Sequence, residues 1–442
     1  MAVSFIQLQI SLLFGITIII LLTAKYKVHP FFALLLACLV TGLGANMQMA
    51  ELIFTAKEGF GNILKSLGFI IVLGNTLGVI LHSTGSTGVM AAYILNKTGK
   101  RYAALAMGIT GFIVGLPVFC DSGYIVLSGL NRSLAKRTGA SAVVMSVSLA
   151  TGLYAVHCLI PPHPGAAAAA FTLGVDYGRL ILLGIVVALP VMLVAFAWAN
   201  YAGKKIADEP EWEDEPKTAL NNPKVLPAFL PIIVPILLIA AKSVFTVNSF
   251  GSSLLTNLFG IFGDPVVALC FGIALAFMAG KNHTHAKTAR LLQEAAEKAG
   301  GILVIIGAGG AFGAVLAATK IGEHFSSSVP LASLGLLFPF LLTFLLKTAQ
   351  GSSTVAIITA ASIVKPLLVA LGLGSETGRL LCVLSMGAGS MFISHANDAY
   401  FWVITNFSGL QMRTVLKVYS AASVLMGFTA IIMVYLLAFL LR

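Results

Sequence analysis

Residues 160–165 read Ile160-Pro161-Pro162-His163-Pro164-Gly165, three prolines within four positions in the middle of an apolar run spanning 140–171. Each proline removes a backbone donor and clashes with the preceding turn, so no continuous helix passes through all three. His163 therefore sits at an unwound position. A second interruption, Ser394-His395-Ala396-Asn397-Asp398, falls within another apolar segment at about 377–411. Such breaks are tolerated at membrane depth only where protein or a water-filled cavity surrounds the freed backbone groups.

Working outward, each break has the same neighbours. Gly68-x5-Gly74 recurs as Gly301-x5-Gly307, each followed by a Gly-x-x-Leu stretch. Phe119-Cys120-Asp121-Ser122-Gly123 is answered by Gln350-Gly351-Ser352-Ser353-Thr354. An internal repeat whose polar clusters fall in matched places within apolar sequence points to a transporter.

Composition agrees. Apolar residues make up 58% of the 442 and charged residues only 10%, against roughly 25% charged in a soluble domain. Runs such as 12–24, 180–198 and 421–441 approach membrane-spanning length. The first run has no basic region before it and reads as a retained span, not a signal peptide. The net charge of +11 belongs to short loops between spans, the ordinary topology signal, and does not imply nucleic acid. Five cysteines without paired spacing suggest neither a disulfide framework nor a metal site, and no cofactor is expected.

Placing basic loops inside the cell yields an all-α polytopic membrane protein with two inverted-topology repeats, about 10 crossings plus two re-entrant hairpins. Residues 1–200 form the first repeat, with a hairpin at about 102–131 and a broken helix at about 140–171. Between the clusters Lys97/Lys100/Arg101 and Arg132/Lys136/Arg137 lie too few residues for two crossings, which is why that segment must turn back. Residues 201–224, acidic and proline-bearing, are a cytoplasmic linker. Residues 225–442 repeat the plan upside down, with a hairpin at about 330–365 and a broken helix at about 377–411. Expected along the way are an amphipathic stretch at 51–65 and a basic loop at 281–298. Most of the 27 Lys and Arg residues fall inside by this path; Lys320, Lys347 and Lys365 are the main dissenters.

Candidate binding residues follow from this layout. Ser122 and Gly123 at one hairpin tip, and Gly351, Ser352, Ser353 and Thr354 at the other, precede helical stretches whose free N–H groups and positive dipole ends suit a carboxylate. An acid inside an apolar hairpin is costly unless paired, protonated or hydrated, so Asp121 is assigned to substrate or proton handling. His163, His395 and Asn397 at the breaks are further substrate contacts, Asn397 because its amide both donates and accepts. His395 and Asp398 join Asp121 as candidate proton carriers. His157, one turn before the first break, reads as a core histidine. Gly307, Gly309, Gly310 and Gly313 read as close helix packing, since no strand or Lys-Ser/Thr accompanies them.

At these motifs the chain resembles the gluconate–proton symporter family of bacterial permeases, within the ion transporter superfamily. The residues carrying the likeness are 160–165, Ala349 to Ala356, and Ser394 to Asp398 followed by Phe401-Trp402. The resemblance implies an inner-membrane secondary transporter that imports a small hydroxylated carboxylate by proton symport with alternating access. It also implies a homodimer with a scaffold part and a moving part. Phe119-Cys120-Asp121-Ser122-Gly123 departs from the aromatic–Glu–Val–Gly form associated with gluconate carriers, leaving glycerate, other aldonates, keto-sugar acids and D-serine-like molecules open beside gluconate. The alternative is an ion antiporter or anion exchanger on the same fold. An intramembrane enzyme lacks zinc-type spacing, and a channel lacks a ring of repeated charge.

Overall fold

The computed structural model describes residues 5–206, 223–247, 253–280, 284–319, 333–396 and 398–441; their regular structure is helical, with no strand among them. Helices start where short polar side chains can take an orphan first-turn donor. Asp176 accepts from the Arg179 N–H at 2.8 Å, and Ser375 from the Gly378 N–H at 3.0 Å. Seven helices among the described residues are long and apolar enough to cross a bilayer, and four shorter apolar helices accompany them. The chain is a multi-pass membrane protein.

Apart from Ser86–Thr98, which has no counterpart among the described residues of the second half, one order of elements occurs twice. In the first half it runs through Pro30–Gly44, Met49–Ser83, Ser86–Thr98, the pair Ala103–Gly115 and Cys120–Thr138, the split helix Ala142–Leu159 and Pro164–Leu173, and Tyr177–Gly203. The second half has Pro265–Ala279, His285–Ala318, the pair Leu337–Gln350 and Ser353–Val364, the split helix Glu376–Met391 and Ala399–Ser408, and the terminal helical run Met412–Leu440. Lys320 and most of the 201–224 linker lie outside the described residues.

Two expectations change. The amphipathic stretch at 51–65 is not separate but the first half of the 35-residue helix Met49–Ser83. Likewise, the expected basic loop is helical from His285 onward, within a 34-residue helix. At about 1.5 Å per residue each helix exceeds 50 Å, so each projects well past a core of roughly 30 Å. The projecting turns are polar and satisfied locally, as in the Lys298–Glu294 pair at 2.7 Å.

These two long helices cross in backbone contact. A Cβ on Gly59 would lie 2.5 Å from the Gly310 carbonyl oxygen, and one on Gly310 would lie 2.5 Å from that of Gly59. Only glycine fits on both sides, which accounts for the glycine run as packing. Farther along the pair, the buried Asn75 Nδ2 donates to the Ala295 carbonyl at 2.7 Å.

Burial separates a core from a shell. All but four residues of Ala142–Leu173 are buried, whereas only about a third of those in Val225–Ser243 are. The first break is therefore largely enclosed by protein, the condition its proline-interrupted backbone requires.

Candidate functional site

A cavity of about 350 Å³ opens where the two helical pairs and the two split helices meet. Four helices begin on its wall. Cys120, Pro164, Ser353 and Ala399 are the first residues of Cys120–Thr138, Pro164–Leu173, Ser353–Val364 and Ala399–Ser408, and all four line it. Each start presents the positive end of a helix dipole, so the wall favours an anion. A larger recess of about 580 Å³ near Leu371 and Tyr435 contains no carboxylate, histidine or basic side chain.

Gly351 turns the second pair at φ +85°, a left-handed conformation that glycine adopts without strain. Its N–H donates to the Lys347 carbonyl at 2.8 Å, and Ser352 caps the next helix by accepting from the Val355 N–H at 3.3 Å. The hydroxyls of Ser353 and Tyr154 lie 2.7 Å apart, each 3.1 Å from the Ser390 carbonyl oxygen. Tyr154 in turn stacks on Tyr400 with ring centroids 5.6 Å apart, and the Tyr400 hydroxyl donates to the Ala150 carbonyl at 2.9 Å. These contacts tie the two split helices together beneath the cavity.

Asp398 is the best-connected polar group here. Its Oδ1 caps Ala399–Ser408 by accepting from the Tyr400 N–H at 2.9 Å. Its Oδ2 accepts from the Ser394 hydroxyl and from the Lys347 ammonium, the latter at 2.6 Å. Lys347 is wholly buried and donates as well to the Gly351 carbonyl at 2.7 Å. Asp121, by contrast, forms no ion pair among the described residues; its Oδ1 accepts from the Cys120 thiol at 3.8 Å.

Of the residues singled out from sequence, Asp121, Gly351, Ser352, Ser353, Thr354 and Asp398 line this one cavity. Ser122 and Gly123 sit one step along the helix and do not line it; Gly123 packs against Leu153. His163 lies behind the wall, its Nε2–H donating to the Gly115 carbonyl at 2.6 Å. His395 is partly exposed, against the Thr348 backbone, and is not a lining residue. Asn397 lies outside the described residues.

Among the residues of the site that the sequence does not single out for it are Lys347, Gln350, Tyr154 and His157. Gln350 lines the cavity with both amide atoms buried and unpartnered, an arrangement that calls for a ligand or water. His157 also lines it, with its ring 4.7 Å from that of His163 and its Nδ1 unpartnered.

The profile of the GntP family permeases matches residues 7–440. Over 442 aligned residues the chain is 31% identical to a gluconate permease of Pseudomonas aeruginosa, covering 96% of each protein. It is 30% identical to the inner membrane permease YgbN of Escherichia coli, covering 98% of each. Identity to the D-serine transporter DsdX of Escherichia coli is 29%, covering 97% of this chain and 98% of that one. Among solved structures, the YdaH transporter of Alcanivorax borkumensis superposes with a TM-score of 0.63 at 15% identity, over 88% of this chain and 89% of that one. That likeness concerns the fold alone.

Proposed function

The chain belongs to the GntP permease family and is a multi-pass transport protein of the inner membrane; from that premise we propose that it imports a small hydroxylated carboxylate together with a proton. The observation that carries this reading is the convergence of four helix N-termini on one cavity whose buried cation is already neutralised. With Lys347 paired to Asp398, the dipole ends are left to attract an anion. Hydroxyls on the substrate suit Gln350, whose free amide can donate to one and accept from another.

Asp121 supplies the coupling. A carboxylate entering beside it meets a like charge that forms no ion pair of its own, the nearby Lys347 being already paired to Asp398, and two anions sharing a site of low dielectric are costly. A proton on Asp121 removes that repulsion, so anion and proton bind together and leave together. We further propose that the pairs 103–138 and 337–364 are re-entrant hairpins, that the two halves have opposite membrane orientation, and that the protein works as a homodimer. The recurring order of elements supports the repeat.

Purified protein in liposomes provides the test. Under an imposed inward proton gradient it should concentrate labelled gluconate, glycerate or D-serine above equilibrium. Counterflow without net accumulation would favour an anion exchanger and overturn proton symport.

A further inference from the structure

We propose that the Lys347 ammonium is a tethered substitute for a bound alkali cation, holding the second hairpin tip to the second helix break and making a sodium ion unnecessary there. This rests on the geometry around Lys347 and holds whichever acid is carried.

The ammonium is surrounded as a small cation would be. It lies 2.7 Å from the Gly351 carbonyl oxygen, at the tip between Leu337–Gln350 and Ser353–Val364. It lies 2.6 Å from Asp398 Oδ2, at the break before Ala399–Ser408. The Ser394 hydroxyl meets the same carboxylate oxygen. One backbone carbonyl freed by a turn, one carboxylate and a nearby hydroxyl are oxygen donors of the kind that hard monovalent cations take at unwound membrane helices. No water reaches the group, since Lys347 is 0% exposed.

Position explains why the charge is useful. Lys347 is in the last turn of its helix, where carbonyls point toward the tip and a cation is favoured. Across from it, Asp398 uses its other oxygen to cap Ala399–Ser408. The ammonium thus fixes two of the four helix starts that form the cavity wall. A covalently tethered cation cannot dissociate, so the tip stays assembled in every part of a transport cycle. A free sodium ion would make assembly depend on sodium concentration.

The experiment removes the tether and asks whether a free ion replaces it. Thermal unfolding of the purified full-length protein is followed in NaCl, LiCl or choline chloride at one ionic strength. Wild-type protein should melt at the same temperature in all three. Lys347→Ala should melt lower in choline and shift upward, saturably, as sodium or lithium replaces it. The double variant Lys347→Ala/Asp398→Asn should lose that shift. A wild-type Tm that rises with sodium, or a Lys347→Ala protein indifferent to all three salts, overturns the proposal. Should Lys347→Ala not accumulate, wild-type vesicles decide: uptake at a fixed proton gradient should be unchanged when choline replaces sodium, and dependence on sodium refutes the tether. Failure to transport any sugar acid would instead contradict the substrate reading and leave the melting comparison intact.

Discussion

Lys347 and Asp398, 51 positions apart in the chain, form a buried ion pair with Nζ 2.6 Å from Oδ2. The pair joins the tip of the second helical pair to the second split helix. Each charge is acceptable in the interior because the other is there, and because carbonyl, hydroxyl and N–H groups complete their bonding.

Removing one partner should therefore cost more than removing both. In choline medium Lys347→Ala leaves an uncompensated carboxylate and should destabilise the protein by about 3–5 kcal/mol, the range for breaking a buried pair. Lys347→Gln/Asp398→Asn should recover part of that loss. Denaturation of the purified variants checks the order; a double variant less stable than Lys347→Ala would show that the two residues act separately.

Asp121→Asn keeps the shape of the tip and removes the group proposed to exchange a proton. Gradient-driven accumulation should fall at least tenfold while substrate counterflow survives. Both are read in the same liposomes, and full accumulation by Asp121→Asn would remove the aspartate from the coupling step.

Gln350→Ala deletes a side chain that makes no protein hydrogen bond. Folding should therefore be little changed. If the amide bonds substrate hydroxyls at about 0.5–1.5 kcal/mol each, KM should rise roughly two- to thirteenfold per bond lost. An unchanged KM would place the substrate elsewhere in the cavity.

Gly59→Val tests the crossing of the long helices. Its side chain would press on the Gly310 carbonyl, where even a Cβ comes within 2.5 Å. Yield and melting temperature should both drop, whereas Gly61→Ala, which meets nothing within 4 Å, should behave as wild type.

Local chemistry explains which of these features could be read from the chain alone. The prolines at 161, 162 and 164 announce a break because a proline acts on its own backbone, without reference to any partner. Runs of apolar residues announce membrane helices for the same reason. Lys347 could not be understood that way. As a topology signal it is a dissenter, and only folding shows that it answers Asp398 inside the protein. His157 and Tyr154 look like core residues because the cavity they line is assembled from segments distant in sequence. The full length of the long helices is not legible because their polar turns look distinct from the apolar span, although helix continues there beyond the apolar layer.

Substrate protection of a single thiol tests the central claim most directly. Thr354, on the cavity wall and partly exposed, is replaced by cysteine in a protein whose five native cysteines have been changed to alanine or serine. Its reaction with a small water-soluble thiol reagent is timed with and without gluconate, glycerate or D-serine. The predicted result is a reactive thiol that at least one of these acids shields severalfold in a transport-competent protein. A thiol that no aqueous reagent reaches, in a protein that still carries substrate, would contradict a water-accessible anion site between the tips of the two helical pairs.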